Sequence, residues 1–244
     1  MEEVLLLYSG GLDSMLSACY LASRGYHVNL IHFDNGSSIG TQSIIKGAKK
    51  LEERFGSKKI TYLGIVPIVG VVRRFHKIEN LKCSQILEAY GNTTISQYQC
   101  LACRSAMYWY AAMISLEKGI PIIAEGARKS QQFVIEQPPM MKEYEKFLNS
   151  QGLTLLTPVY HLDDDYERTC QLERFRLKPI AYEGKCLLGH YLEEEYPVDE
   201  EIIDGTVKIF QETILPKMNQ LVNSEVEKDI IRNLEYHKKK VKWR

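Results

Sequence analysis

A short polar loop joins an apolar strand to a helix near the start of the sequence. The run VLLLY at residues 4–8 is followed by SGGLDS at 9–14, and apolar residues then recur at helical spacing up to Gly25. A strand, a tight glycine loop and a helix in this order are typical of a βαβ unit. Because strands and helices keep alternating further along the chain, we expect an α/β fold with a doubly wound, mostly parallel sheet.

The predicted elements follow from apolar runs and helical periodicity. Strands are expected at 3–8, 26–33, 59–66, 120–126 and 153–158, and helices at 13–24, 41–55, 96–118 and 163–176. The polar stretch 127–139 ends in two prolines and predicts an ordered loop over the carboxyl edge of the sheet, where ligands usually bind. From residue 191 the pattern is helical. We therefore expect a main domain at 1–190 and a helical extension at 191–244 packed on it.

Composition narrows the class of protein. The 244 residues are 45% apolar, and 31 basic residues balance 31 acidic ones, so no global attraction to nucleic acid or membrane follows. No run of about 18 apolar residues occurs, and a strand pattern begins almost at once, so we expect a soluble cytoplasmic protein without a membrane partner. Six cysteines are too sparse for a secreted disulfide scaffold, which leaves thiols, metal ligands or catalytic groups.

The SGGLDS loop has the chemistry of a phosphate site. Glycine allows close approach, and the start of a helix leaves backbone N–H groups unpaired. Ser9 and Ser14 add hydroxyl donors, while Asp13 beside phosphates makes sense mainly with a magnesium ion between the negative charges. The alternative is a tight strand-to-helix turn with a capping side chain.

This loop resembles closely the SGGxDS loop of the N-type ATP pyrophosphatases, the PP-loop superfamily. The resemblance implies a HUP-type, adenine nucleotide alpha hydrolase-like fold, with ATP and Mg²⁺ as cofactors. It also implies that an oxygen of the substrate is adenylated and that pyrophosphate is released. By the same resemblance the phosphates, adenine and ribose would lie against the loop and the end of the second strand, at Ser9, Gly10, Gly11, Asp13, Ser14, His32 and Phe33.

Three cysteines are candidate functional residues outside the SGGLDS loop. Cys100 and Cys103 form CLAC at the start of a predicted helix, where residues three apart face the same side, and Cys186 stands far along the chain. A lone CxxC is compatible with redox chemistry, zinc or an iron–sulfur cluster, and it also occurs incidentally.

CLAC followed by Arg104, a helix, a strand that ends in Gly126 and a distant Cys186 resembles the tRNA 2-thiocytidine and 2-thiouridine synthetases. The resemblance implies a [4Fe–4S] cluster on the three cysteines, which together with Asp13 would be the catalytic residues. It implies an ATP-dependent sulfurtransferase that adenylates a carbonyl oxygen of a nucleobase and replaces that oxygen with sulfur. The expected partners are ATP, tRNA or a small heterocycle, a sulfur donor and, in a possible homodimer, a second copy of the chain.

The sequence departs from these families after Gly126. Where aspartates are typical, the chain reads ARKSQQ, so Arg128 becomes a candidate phosphate contact and Glu125 or Glu136 a substitute for the missing acid. The segment order partly resembles that of the 7-cyano-7-deazaguanine synthases. Two other functions therefore stay open: an ATP pyrophosphatase that delivers nitrogen, and a nucleotide-binding regulatory protein without chemistry.

Two basic segments are candidate contacts for tRNA. The tail YHKKKVKWR combines positive charge with a tryptophan that could stack on a base. A second group of basic residues could assist it, at Arg73, Arg74, His76 and Lys77. Such charges are more often simply solvated.

Overall fold

The computed structural model describes residues 1–40, 42–76, 85, 95–131, 133–186 and 198–234. Its strands, in chain order, are β1 (Glu3–Leu7), β2 (His27–Asp34), β3 (Ser38–Ile39), β4 (Ile60–Pro67), β5 (Ile122–Glu125), β6 (Thr154–Leu156) and β7 (Lys185–Cys186). Five of them form a parallel sheet in the order β4-β2-β1-β5-β6, and β3 pairs with β7 in a separate antiparallel ribbon. The predicted parallel α/β sheet is confirmed.

Nine α-helices surround the sheet in the described part of the chain. They are α1 (Leu12–Ser23), α2 (Gln42–Phe55), α3 (Val69–His76), α4 (Ile95–Lys118), α5 (Pro138–Ser150), α6 (Asp165–Arg174), α7 (Glu200–Ile209), α8 (Leu215–Val222) and α9 (Glu225–Arg232). A π-helical turn, Phe210–Ile214, joins α7 to α8, and two 3₁₀ turns, Lys129–Gln131 and Val134–Glu136, precede α5.

The sheet separates two apolar layers. Successive side chains of a strand point to opposite faces, so Leu5 and Leu7 of β1 pack with α3, α4 and α5, while Val4 and Leu6 pack with α1, α2 and α6. Because both faces are covered, the strands read as continuous apolar runs rather than alternating ones. This explains why the sequence predicted them well.

Strand order places a topological switch point beside β1. From β1 the chain builds outward through β2 to β4, then returns to add β5 and β6 on the other side of β1. The carboxyl ends of β1 and β5 are therefore neighbours, with Leu7 opposite Glu125. In open α/β sheets, crevices for ligands form at such points.

The stretch 127–139 is only partly the loop that its sequence suggests. It contains the two 3₁₀ turns, and α5 already begins at Pro138. Proline is tolerated in the first helical turn because the N–H groups there lack an intrahelical partner. The two prolines thus start a helix that the sequence reading did not predict, and α3 was also not predicted.

The C-terminal helices pack on the main domain. Ile209, Phe210 and Met218 are fully buried in the layer that contains α4 and α5. The predicted domain boundary at 190/191, the basic tail at 236–244 and Lys77 lie outside the described residues. None of the helices in the described ranges combines the length and the apolar composition that a membrane span needs.

Candidate active site

A cavity of about 580 Å³ lies at the carboxyl ends of β1, β2 and β5. Of the residues predicted for the site, all except Gly10 and Arg128 line it: Ser9, Gly11, Asp13, Ser14, His32, Phe33, Cys100, Cys103, Arg104, Gly126 and Cys186. One cavity thus contains both motifs that the sequence singled out, although the loop and the last cysteine are far apart along the chain.

The SGGLDS loop is held in shape by its own hydrogen bonds. The hydroxyl of Ser9 accepts from the backbone N–H of Gly11 at 3.0 Å and lies 3.1 Å from the hydroxyl of Ser14, which donates to Gly11 O at 3.0 Å. Gly10 has φ +86°, a conformation that favours glycine. The backbone N–H groups in the first turn of α1 have no acceptor within the helix, and this turn lines the cavity. Such a helix start is suited to bind an anion.

Gly126, directly after β5, packs closely against the start of α1. A β-carbon on Gly126 would lie 2.7 Å from the backbone nitrogen of Ser14 and 2.8 Å from the carbonyl carbon of Asp13. The role of Gly126 in this structure is therefore close packing of β5 against α1.

Two arginines and an amide hold the carboxylate of Asp13. Arg128 Nε lies 3.0 Å from its Oδ1, Arg168 Nη1 lies 3.1 Å from both oxygens, and Gln131 Nε2 donates to Oδ2 at 2.9 Å. Both arginines also pair with Asp165, at 2.8 and 3.2 Å. As it stands, Asp13 is neutralised by guanidinium groups, and Arg128 contacts the loop through Asp13 instead of lining the cavity.

Arg168 is a site residue that the sequence reading missed. It projects from α6 into the cavity, and its side chain is 14% exposed. No local pattern marks it, because its partner Asp13 is 155 positions away.

A segment after α6 crosses the loop. The backbone N–H of Tyr182 donates to Gly10 O at 2.8 Å, and a β-carbon on Gly10 would touch the Tyr182 backbone at 3.0 Å. Glu183, the next residue, places its carboxylate against Gly11 and lines the cavity. Beyond Glu183 the same segment leads to Cys186, so the loop and the thiol are connected by a few residues of backbone.

The three predicted cysteines lie on one side of the cavity. Asn35 after β2 donates its Nδ2 to Cys103 Sγ at 3.2 Å and to Cys186 Sγ at 3.9 Å, and Ser37 Oγ lies 3.6 Å from Cys186 Sγ. The β3–β7 ribbon brings Cys186 to this place by pairing it with Ser38. A two-residue ribbon leaves almost no sequence signal, so this convergence was a hypothesis that only the resemblance supported.

Burial favours the protonated thiol at Cys100 and Cys103. Burial raises the pKa of Cys100 to about 12, with Cys103 and Cys186 adding to the effect and Arg104 opposing it. Burial also raises the pKa of Cys103, while Asn35 and Arg104 lower it. In the described ranges, no three His, Cys, Asp or Glu side chains form a group that could hold a metal ion as they stand.

Arg104 links two buried glutamates that also line the cavity. Its Nη1 donates to Glu125 Oε2 and its Nη2 donates to Glu136 Oε1, each at 2.5 Å. The hydroxyl of Tyr108 donates to the second oxygen of Glu125, and the backbone N–H of Arg128 donates to the second oxygen of Glu136 at 3.1 Å. The sequence predicted that Arg104 contacts a cofactor. In the structure, both terminal nitrogens of its guanidinium group pair with glutamate carboxylates.

His32 lies near the carboxyl end of β2, beside the loop. Its Nδ1 lies 3.1 Å from Tyr8 O, whereas Nε2 is buried and has no hydrogen-bond partner in the described part of the chain. Burial lowers the pKa of His32, so the ring is neutral near pH 7 and Nδ1 donates to the carbonyl. The His32 and Phe33 side chains both line the cavity.

Two known proteins resemble about half of this chain. A probable tRNA sulfurtransferase of Methanothermobacter thermautotrophicus is 26% identical over 129 residues, and a tRNA sulfurtransferase of Desulfurococcus amylolyticus is 28% identical over 132 residues. Each match covers 53% of this chain but only 30% and 24% of the relative.

The fold has a counterpart among solved structures. The crystal structure of a 4-thiouridine synthetase–RNA complex with bound ATP matches with a TM-score of 0.62 and 17% identity, over 91% of this chain and 53% of that one. The family model described as "Thiamine biosynthesis protein (ThiI)" matches residues 1–137, which is more than half of the chain. This chain therefore belongs to the ThiI family, within the PP-loop superfamily that its SGGLDS loop indicated.

Proposed function

We propose that this protein is an ATP-dependent sulfurtransferase that acts on a nucleobase of tRNA. One observation carries the proposal: the SGGLDS loop and the three cysteines line a single cavity. An activating nucleotide and a sulfur-bearing group could therefore meet at one substrate atom. The names of the two relatives and the RNA and ATP in the structural counterpart support tRNA as the acceptor over a free heterocycle.

In the proposed first half-reaction, ATP binds with its phosphates on the loop. Backbone N–H groups at the start of α1 and the hydroxyls of Ser9 and Ser14 would receive the phosphates, and His32 Nε2 would accept a hydrogen bond from ribose or adenine. The phosphates would compete with Asp13 for Arg128 and Arg168. Asp13 would thereby become available to Mg²⁺, which prefers carboxylate and phosphate oxygens.

The adenylated carbonyl is what makes sulfur insertion feasible. A carbonyl oxygen of a nucleobase is a poor leaving group, whereas AMP is a good one. In the second half-reaction, sulfur attacks the same carbon and AMP leaves with the original oxygen. The three cysteines line the same cavity as the loop, so sulfur held by them could reach this carbon.

A [4Fe–4S] cluster on Cys100, Cys103 and Cys186 is the proposed sulfur-carrying group. The donor set fits by type, since thiolates are the usual cluster ligands and all three face one cavity. Binding would require side-chain rotations and loss of three thiol protons, which the positive iron ions favour. Bound there, the cluster would supply an iron that no cysteine holds, to which sulfide can attach.

Anaerobic reconstitution followed by nucleoside analysis tests the function. The protein is loaded with iron and sulfide, incubated with ATP, sulfide and unthiolated tRNA, and the digested nucleosides are analysed by mass spectrometry. We expect a new thionucleoside that depends on ATP. Formation of AMP with no thionucleoside, or incorporation of ammonia instead, would contradict sulfur transfer; binding of ATP without any turnover would favour a regulatory role.

Paired cysteine variants test the cluster. Cys186→Ala should lose most of the bound iron and all of the thiolation, because two ligands from one helix cannot hold the cluster alone. Cys170→Ala is the matched control, since Cys170 lies on α6 outside the cavity. Equal iron content in the two variants would refute the three-cysteine site.

A further inference from the structure

The carboxylates that flank Arg104 form a cluster with one cation and two acids. The described ionisable groups around Glu136 come from four elements. They are Arg104 on α4, Glu125 on β5, Asp13 on α1 and Tyr160 after β6. Two acids that share one guanidinium carry an excess negative charge inside the protein, so one of them retains a proton more easily than an exposed carboxyl does. The cluster is therefore built to exchange one proton.

The pKa of Glu136 agrees with this geometry. Burial raises it, Arg104 lowers it, Glu125 raises it, the hydrogen bond from a backbone N–H lowers it, and Asp13 raises it, so that the result is about 7. A group that titrates near neutral pH can both accept and release a proton under physiological conditions.

We propose that Glu136 is the general base that removes the ring N–H proton of the nucleobase while its carbonyl oxygen attacks the α-phosphorus of ATP. This role rests on the proposed function, because it concerns the adenylation step. In a nucleobase lactam the carbonyl oxygen is adjacent to an N–H group. The oxygen becomes nucleophilic enough to attack phosphorus when that proton is withdrawn.

The step balances without a further reactant. The N–H electron pair becomes the new C=N bond, the π pair of the C=O bond moves to the oxygen, this oxygen forms a bond to the α-phosphorus, and the bond between the α-phosphorus and the oxygen that bridges it to the β-phosphorus breaks. Pyrophosphate leaves with that electron pair, and the proton moves to a carboxylate oxygen of Glu136. Arg104 stabilises the carboxylate before the step and is left with Glu125 as its counter-ion after it.

The contacts favour Glu136 over Glu125 for this role. Glu125 ends a core strand, is 1% exposed and accepts from both a guanidinium and the Tyr108 hydroxyl, so its position is fixed by the sheet. Glu136 instead closes a 3₁₀ turn outside the sheet, in the segment that follows β5, and its second oxygen accepts from the Arg128 backbone at 3.1 Å. Among the described residues each oxygen of either glutamate accepts one hydrogen bond, so the place of Glu136 in a turn, rather than in a core strand, is what distinguishes it.

Single-turnover release of pyrophosphate from ATP with unthiolated tRNA tests this role. We expect the wild-type rate to rise with pH up to about 7 and then to level off. Glu136→Gln should slow the step by a factor of about 100 or more, which is the usual contribution of a general base, and should lose the pH inflection. Glu136→Asp, which keeps a carboxylate on a shorter stem, should keep the inflection at a reduced rate.

Glu143→Gln is the matched control. Glu143 is also a buried glutamate, but it lies on α5, pairs with Lys146 at 2.6 Å and does not line the cavity. Binding of a non-hydrolysable ATP analogue and of tRNA should be the same in all variants, which separates a role in the chemical step from loss of folding.

The pyrophosphate assay distinguishes failure of the proposed function from failure of the proposed role of Glu136. If the wild-type protein releases no pyrophosphate with tRNA, the proposed function is wrong and the role of Glu136 falls with it. If the wild-type protein is active and Glu136→Gln keeps its rate within a few-fold, or loses rate but keeps the inflection, then only the role of Glu136 is refuted.

Discussion

The carboxylate of Glu183 lies against Gly11, so closely that a methyl group on Gly11 would collide with Oε2 of Glu183. The side chain of Glu183 thus stands over the loop proposed to receive the phosphates of ATP. The backbone hydrogen bond between Tyr182 and Gly10 holds this arrangement in place.

Replacement of Glu183 by glutamine should tighten the binding of an ATP analogue. The change replaces a carboxyl group with a neutral amide of nearly the same shape, and a carboxylate beside phosphates repels them. We expect an affinity gain of about 3- to 10-fold in calorimetric titrations, or roughly 1 kcal/mol. Glu173→Gln, at an exposed position on α6 outside the cavity, should bind as the wild type does. Weaker binding of Glu183→Gln in the presence of Mg²⁺ would instead indicate that Glu183 helps to hold the cation.

Arg168→Gln should weaken the binding of the same analogue. Arg168 is one of two guanidinium groups that neutralise Asp13 beside the loop, so its loss leaves the site more negative and removes a charged donor for phosphate. We expect a loss of about 10-fold or more, measured by titration. Arg174→Gln, at the exposed end of the same helix, is the control. Unchanged affinity would show that Arg168 serves only to hold Asp13.

Gly126→Ala should destabilise the fold and abolish binding of the ATP analogue. The added methyl group would meet the backbone of Ser14 at 2.7 Å, where no flexible side chain can move aside. Overpacking of this kind costs about 1–3 kcal/mol in the free energy of unfolding, measurable with urea. Gly70→Ala on α3 meets nothing within 4 Å and should be neutral or stabilising. Equal stability of the two variants would argue against tight contact between β5 and α1.

The stability of the protein should depend on pH through Glu136. Its pKa is raised from 4.5 to about 7 in the folded state, so the folded state binds the proton more tightly than the unfolded state does. The resulting stabilisation is complete below pH 4.5 and is lost as the pH rises through about 7. Relative to Glu136→Gln, the wild type should therefore lose up to roughly 3 kcal/mol of unfolding free energy across this range.

Chemical denaturation of both proteins at several pH values measures this difference. Glu143→Gln, at a buried glutamate that pairs with Lys146 outside the cavity, is the control variant in these measurements. A difference between wild type and Glu136→Gln that does not change with pH would contradict the raised pKa.

Local sequence was sufficient for much of the fold. Strands buried on both faces read as apolar runs, and glycines mark the ends of several helices, so the sheet and the long helices were predicted nearly at their observed bounds. The errors fell where local signals conflict. The two prolines at 138 and 139 suggest a loop, yet they begin α5, and α3 is too short for its periodicity to stand out.

The chemistry that is available can be read from the amino-acid sequence: a strand–SGGLDS–helix unit for phosphates, and three cysteines of which two share a helix face. Which of these groups meet depends on the tertiary fold. Arg168 and Glu183 reach the loop from far along the chain, the β3–β7 ribbon brings Cys186 to Cys103, and Arg104 gathers Glu125 and Glu136. Such contacts depend on strand order and helix packing, to which each residue contributes only a small part, so no local pattern encodes them.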